Sequence, residues 1–196
     1  MKESKKDFKK LLNFFYELGQ LKRVARSGWW LAGVKNPESV AEHAWRTAAI
    51  SYILGLMEKA NAERCALISL FHEMPECRIN DKHKVEQRYI DEKKISEKVL
   101  EEQLDSVPKE IGIELKKILE GYGKDLSREQ EIARDADYIE CTLTAKEYLE
   151  QGYKKAQNWI DNCKKCVKTK NAKLLMELID KSNTEEWYAN LKNIKR

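Results

Sequence analysis

Glycine and proline are scarce, with eight and three in 196 residues. Both punctuate turns, so their scarcity argues against a loop-rich or all-β chain and for long helices. Strand-like alternation is nearly absent. No apolar run approaches the roughly twenty residues that cross a bilayer, and no charged-then-apolar leader opens the chain. We therefore expect a cytoplasmic protein with no membrane partner. Five cysteines form no regular framework, which fits reduced thiols. The net charge of +4 is mild, and Lys is scattered among Glu. That pattern describes solvated helix faces and excludes a strong footprint for a nucleic acid polymer. There is no internal repeat, low-complexity segment or linker. The expectation is one compact all-α domain over 1–196, of eight or nine helices, with a core of about 8–150 and C-terminal helices over 155–194.

The helices can be placed by period and cap. Phe8, Leu11, Leu12, Phe15, Leu18 and Leu21 mark one face of a first helix, starting near Asp7. Val24 to Pro37 breaks the pattern and reads as a loop rich in Arg and Trp, either a binding loop or a plug at the core edge. Ser39 with Glu42 forms a capping box for a helix to about Lys59. Its inward residues are expected to be Val40, Ala41, Ala44, Ala48, Ala49, Ile50 and Ile53. Asn61 caps a third helix to about Met74, expected to be buried nearly all round. Further helices are expected over about Val85–Leu104, from Pro108 to Leu119 with a stop at Gly121 and Gly123, and from Ser127 with its Gln130 box to Gly152. Three shorter ones follow, over Ala156–Lys168, Ala172–Asp180 and Thr184–Ile194, the last with a box from Asn183 and Glu186.

Chemistry concentrates where the third helix stops. His72, Glu73, Glu76 and Asp81 fall within ten residues, with Pro75 among them to end or bend the helix. A carboxylate carried inward on a buried helix costs several kcal/mol, on the order of an effective desolvation penalty, unless it is paired or metal-bound. His43 lies earlier on an apolar helix, and Asp135 and Asp137 lie later. The set His43, His72, Glu73 and Asp137 suits one divalent ion such as Mn, Co, Mg, Fe or Zn. Adjacent His72 and Glu73 point about 100° apart, so both reach one ion only if it sits over the helix end. His83 reads as surface, and Cys163-x-x-Cys166, with no second pair, as a weak metal or redox motif. Trp159, Trp187 and Tyr188 read as core or dimer contacts.

Pro37-Glu-Ser-Val-Ala-Glu-His43, then His72-Glu73 with Glu76 and Asp81, then Ala136-Asp137, resembles the HD-domain metal-dependent phosphohydrolases, in particular their 5'-deoxynucleotidase branch. The segments Leu21–Trp29 and Glu147–Gln151 resemble it as well, so the likeness covers nearly the whole chain. It implies hydrolysis of deoxynucleoside monophosphates by a homodimer with one divalent metal. It places metal ligands at His43, His72, Glu73 and Asp137, and catalytic acids serving the water and the leaving group at Glu76 and Asp81. It also implies a phosphate partner at Arg26 and a substrate-pocket aromatic at Trp29, whose ring would exclude a ribose 2'-hydroxyl. One position departs from the pattern: the family carries His followed by Asp, and this chain carries His72 followed by Glu73. The longer side chain leaves a second reading, a nucleotide- or metal-binding protein that no longer turns over.

Overall fold

The computed structural model describes residues 4–120, 126–189 and 191. In chain order the helices are α1 (Lys5–Leu18), α2 (Gly28–Ala32), α3 (Val40–Met57), α4 (Ala62–Phe71), α5 (Glu76–Ile79), α6 (Glu92–Ser106), α7 (Lys109–Leu119), α8 (Arg128–Glu150), α9 (Gln157–Cys166), α10 (Lys170–Lys181) and α11 (Glu186–Ala189). Eight of them have ten residues or more, and no strand occurs among the described residues beyond one isolated bridge between Ala25 and Ser39. The all-α expectation holds.

The starts follow the local chemistry. Ser39 and Glu42 exchange side-chain and backbone hydrogen bonds, as do Ser127 and Gln130, and the Asn61 carboxamide oxygen accepts from the Arg64 N–H. Each satisfies an N–H that the first helical turn leaves bare. The Gly121 and Gly123 stop and the end at Ile194 lie outside the described residues.

The α8 helix is the axle. Ile132, Ala133, Ala136, Ile139 and Ala145 are buried along it, and α3, α4, α9 and α10 all pack against it. One core joins Leu54, Cys65, Ile132 and Ile139 to Cys163, Val167, Ala172, Met176 and Ile179. A second joins Trp29, Ala32 and Val34 to Ala145, Ala156 and Ile160. Where α3 meets α4 the backbones nearly touch: a Cβ on Gly55 would lie 2.8 Å from Ala62 Cα. Only glycine allows that approach, and it brings together two of the helices that carry the polar cluster.

Several burial patterns differ from expectation. On α1 the buried residue is Phe14, with Leu11 and Leu18 partly buried, while Phe8, Leu12, Phe15 and Tyr16 are exposed. On α3 the inward stripe is His43, Thr47 and Ser51 with Val40, Ala44, Leu54 and Gly55, whereas Trp45, Ala49, Tyr52, Ile53 and Leu56 face outward. Leu67 and Leu70 of α4 are also exposed, so that helix is not buried all round. The period locates an apolar face but does not say which of two faces packs within the chain. The Val24–Pro37 stretch is not all loop: it contains α2, which Gly33 closes at φ 95°. Val85 onward begins with a 3-10 turn, and α6 starts only after Asp91 caps it. Asn183 accepts from the Glu185 N–H in a tight turn instead of boxing with Glu186, so α11 is a single turn. Trp187 and Tyr188 are exposed and do not join the core.

Candidate metal centre

Three helices deliver the cluster. His43 sits one turn into α3, His72 caps the C-terminal end of α4, and Asp137 lies in the middle of α8. The helix stops at Phe71, and Pro75 then opens the short α5 with Glu76. Asn80, in the left-handed region at φ 61°, turns the chain so that Asp81 comes back to the same place. There Asp81 Oδ2 accepts the Ser27 N–H at 2.6 Å. The loop carrying Arg26 is held to the start of α3, because the Arg26 N–H donates to Glu38 O and the Val40 N–H to Val24 O.

The donor atoms converge. His43 Nε2, His72 Nε2 and Glu73 Oε1 mark a group of ligand atoms lying within 4.8 Å of one another. Asp137 Oδ1 lies 3.0 Å from His43 Nε2. Both histidines commit Nδ1 elsewhere: His43 Nδ1 bonds to Glu140, and His72 Nδ1–H donates to Ser69 O at 2.8 Å. With Nδ1 as the donor, a neutral ring presents the Nε2 lone pair to the cluster. His43 Nε2 and Asp137 Oδ1 are then two buried acceptors without a hydrogen-bond partner, facing each other across 3.0 Å. A proton or a cation must lie between them. The residues present therefore fit a divalent ion, which His43, His72 and Glu73 could hold as one group with Asp137 adjoining it at His43.

The electrostatics point the same way. Burial alone would push the His43 imidazole down, and so would Arg26. The carboxylates of Asp137 and Glu140, which accept from the ring once it is protonated, outweigh both and raise it to about 10. Burial likewise favours neutral Glu73, yet His72, Arg26 and His43 hold its carboxyl far below the usual range. Arg26 Nη1 stands 3.2 Å from Glu73 Oε1 and 3.6 Å from Asp81 Oδ1. Glu76 is different. Burial, then the neighbouring charges of Glu73 and Asp81, push it up to about 11, and its Oε2 has no partner. One neutral acid thus lies beside the ionised carboxylate of Glu73.

Residues 18–179 match the HD domain family. The chain belongs to the HD-domain family. Among HD-domain proteins, the 5'-deoxynucleotidase HDDC2 of Xenopus laevis is 35% identical over 143 residues, covering 72% of this chain and 71% of the relative. A conserved hypothetical protein from Pyrococcus furiosus shares the fold at TM-score 0.71 and 25% identity, covering 87% of this chain and 99% of that one. An HD phosphohydrolase of cyanophage S-2L, solved with dA and one catalytic zinc ion, is similar in fold alone, at TM-score 0.56 and 16% identity over 85% and 96% of the two chains.

The expected residues do not all share one surface. His43, His72, Glu73, Glu76, Asp81, Asp137 and Arg26 come together. Trp29, expected against the sugar and base, is 2% exposed and lies in the core against Tyr148 and Trp159. Its indole N–H donates to Glu38 Oε1 at 3.0 Å, so the plug reading describes the ring. Trp30 beside it is exposed. Asp135 parts from Asp137: its carboxylate accepts the N–H groups of Lys168 and Thr169 ahead of α10. Neither candidate metal group among the described residues contains Cys163 or Cys166. Sequence reasoning missed Glu140, Arg46, Thr144 and Glu38. A trace of them was present, since Glu140 is a carboxylate on the buried side of α8 three residues beyond Asp137.

Proposed function

We propose that the chain is a metal-dependent phosphohydrolase that cleaves deoxynucleoside 5'-monophosphates to deoxynucleoside and phosphate. The observation that carries this reading is the convergence of His43, His72 and Glu73, with Asp137 against His43 Nε2 and Arg26 and two further acids alongside. The likeness to the HDDC2 nucleotidases supplies the substrate class. A divalent ion bound there supplies Lewis acidity, lowering the pKa of a water from about 16 towards neutrality and offsetting phosphoryl charge. Arg26 orients the phosphate, its guanidinium matching two oxygens at once. Asp81, fixed by the Ser27 N–H, accepts the proton of the attacking water. Glu76, held neutral, gives its proton to the leaving 5'-oxygen. Trp29 acts from below, holding Glu38 and the loop that presents Arg26. Glu73 serves as a ligand in the place of the shorter family acid, because the cluster already draws its carboxylate to within 3.8 Å of both histidine Nε2 atoms. The five unpaired cysteines fit a cytoplasmic protein.

The test is phosphate release from a panel of deoxynucleoside and ribonucleoside monophosphates. The protein is stripped with chelator and given Mn, Co, Mg, Fe or Zn one at a time. We expect one ion to restore release, a preference for deoxy substrates, and a loss of at least about a thousandfold in His72→Ala. Stoichiometric metal binding with no release by any ion would favour the binding-protein reading.

A homodimer belongs to the same proposal. Trp45, Tyr52, Ile53 and Leu56 form an outward stripe along α3, exposed by 42–70%. A stripe of that kind on a helix central to the core suits a self-complementary interface. Sedimentation is expected to give a dimer for the wild type and a monomer for Ile53→Glu, and a monomeric wild type would refute it.

A further inference from the structure

We infer that Glu140 is a positioning residue for the metal ligand His43: it keeps the ring proton on Nδ1 and so leaves Nε2 for the ion. The inference rests on the reading of His43 as a ligand. Glu140 is fully buried, and each of its oxygens is used. Its Oε2 meets His43 Nδ1. Its Oε1 accepts from Arg46 Nε at 3.0 Å and from the Thr144 hydroxyl at 3.0 Å. Arg46 is itself held, because Nη1 donates to Glu147 Oε1 at 2.6 Å and Nη2 to Thr144 Oγ1. A carboxylate so fixed offers the imidazole an acceptor and nothing else. Ligating histidines generally need such a partner, and losing it typically costs ten- to a hundredfold in metal affinity.

Glu38, His43 and Glu140 also form a group with donor atoms within 4.8 Å of one another. A second cation there would have to displace the Arg46 guanidinium, which already neutralises Glu140 at 2.9–3.0 Å. The network is built to hold the ring.

The side chain of Gln makes the test specific. It has one acceptor oxygen, whereas Glu140 uses both of its oxygens, Oε1 for Arg46 and Thr144 and Oε2 for His43 Nδ1. In Glu140→Gln the charged Arg46 takes the carbonyl, which turns the NH2 group towards Nδ1 and favours the wrong tautomer. Removing that competitor, in Glu140→Gln with Arg46→Met, frees the amide to rotate and to offer its oxygen to Nδ1 again. A residue that merely fills and braces the core predicts the reverse, since a second lesion in one network would only add damage.

The experiment is calorimetric titration of chelator-stripped protein with Zn and Mn, with far-UV circular dichroism to confirm folding. It is paired with the downfield ring-proton resonance of His43 in 15N-labelled protein. We expect Glu140→Gln to bind ten- to a hundredfold more weakly and to lose that resonance, and the double variant to recover at least fivefold together with the resonance. Wild-type affinity in Glu140→Gln, or a double variant weaker than the single one, would overturn the inference. Wild-type protein that took up no ion would instead fail the functional reading, and the resonance in wild type and variants would still decide this one. Should Glu140→Gln fail to fold, the double variant alone decides: a retained resonance supports the role and a lost one removes it.

Discussion

Arg26→Gln is expected to lower kcat/KM for a deoxynucleoside monophosphate by about a thousandfold, within the range for removing an arginine from phosphoryl transfer. Arg26 is the fixed positive charge among Glu73, Glu76, Asp81 and Asp137, and their pull sets its own pKa well above the ordinary value despite burial. The loss has two parts. The phosphate loses a bidentate partner, and Glu73 and Asp81 lose the cation 3.2 and 3.6 Å away that holds them in place. Arg26→Lys separates these parts, because it returns the charge without the fork. It should recover the stability of the metal-stripped protein but little of the turnover. A variant Arg26→Gln within fivefold of wild type would remove Arg26 from the phosphate site.

Glu76→Gln should make the metal-stripped protein more stable while costing turnover. A carboxyl pushed from 4.5 to about 11 keeps its proton in the folded state and has lost it in the unfolded chain across that whole window. The folded state therefore binds more protons, and stability falls as pH rises from about 4.5 towards 11. At pH 7 the penalty is of the order of 3 kcal/mol. The amide has no charge to lose, and its NH2 can replace the acid O–H. In urea titrations with chelator, the variant should exceed wild type by about 2–3 kcal/mol at pH 7, with the gap closing below pH 4.5. An infrared band of a protonated carboxyl should vanish with it. Turnover should drop about a hundred- to ten-thousandfold, as for a missing general acid. Equal stability at pH 7 would mean that Glu76 is ionised and cannot be the proton donor. The sign matters, since a residue kept against its stability cost is kept for chemistry.

What the sequence disclosed and what it withheld divide along sequence distance. The boxes at Ser39 and Ser127 are settled within four residues, so they could be read directly. His72 and Glu73 stood out because hard ligands at the end of an apolar helix need a reason to be there. Meeting His43 and Asp137 was a matter of three helices crossing, which no spacing encodes; the family likeness, carried by motifs in order, supplied it. The Glu140–Arg46 network was hidden for the same reason, its members lying 94 positions apart. The outward faces of α1 and α3 were misjudged because a wide apolar arc does not say which part packs inward. Trp29 was placed at the substrate because Arg and Trp in a loop suggest recognition, yet the loop folds into a helical turn that buries the ring. Asp135 and Asp137 looked like one pair, but residues two apart on a helix point well away from each other.

That divergence along α8 bears on how the protein is made. A chain leaving the ribosome has all four proposed ligand residues once residue 137 has emerged. Ile132 and Ile139 on either side still lack Cys163, Val167, Ala172, Met176 and Ile179 to pack against, and the Asp135 carboxylate still lacks Lys168 and Thr169. The helix carrying Asp137 is seated only when residues 163–179 arrive. Capture of the ion is thus expected to wait until residues 163–179 have emerged, and a product truncated before them to carry the motifs without the centre.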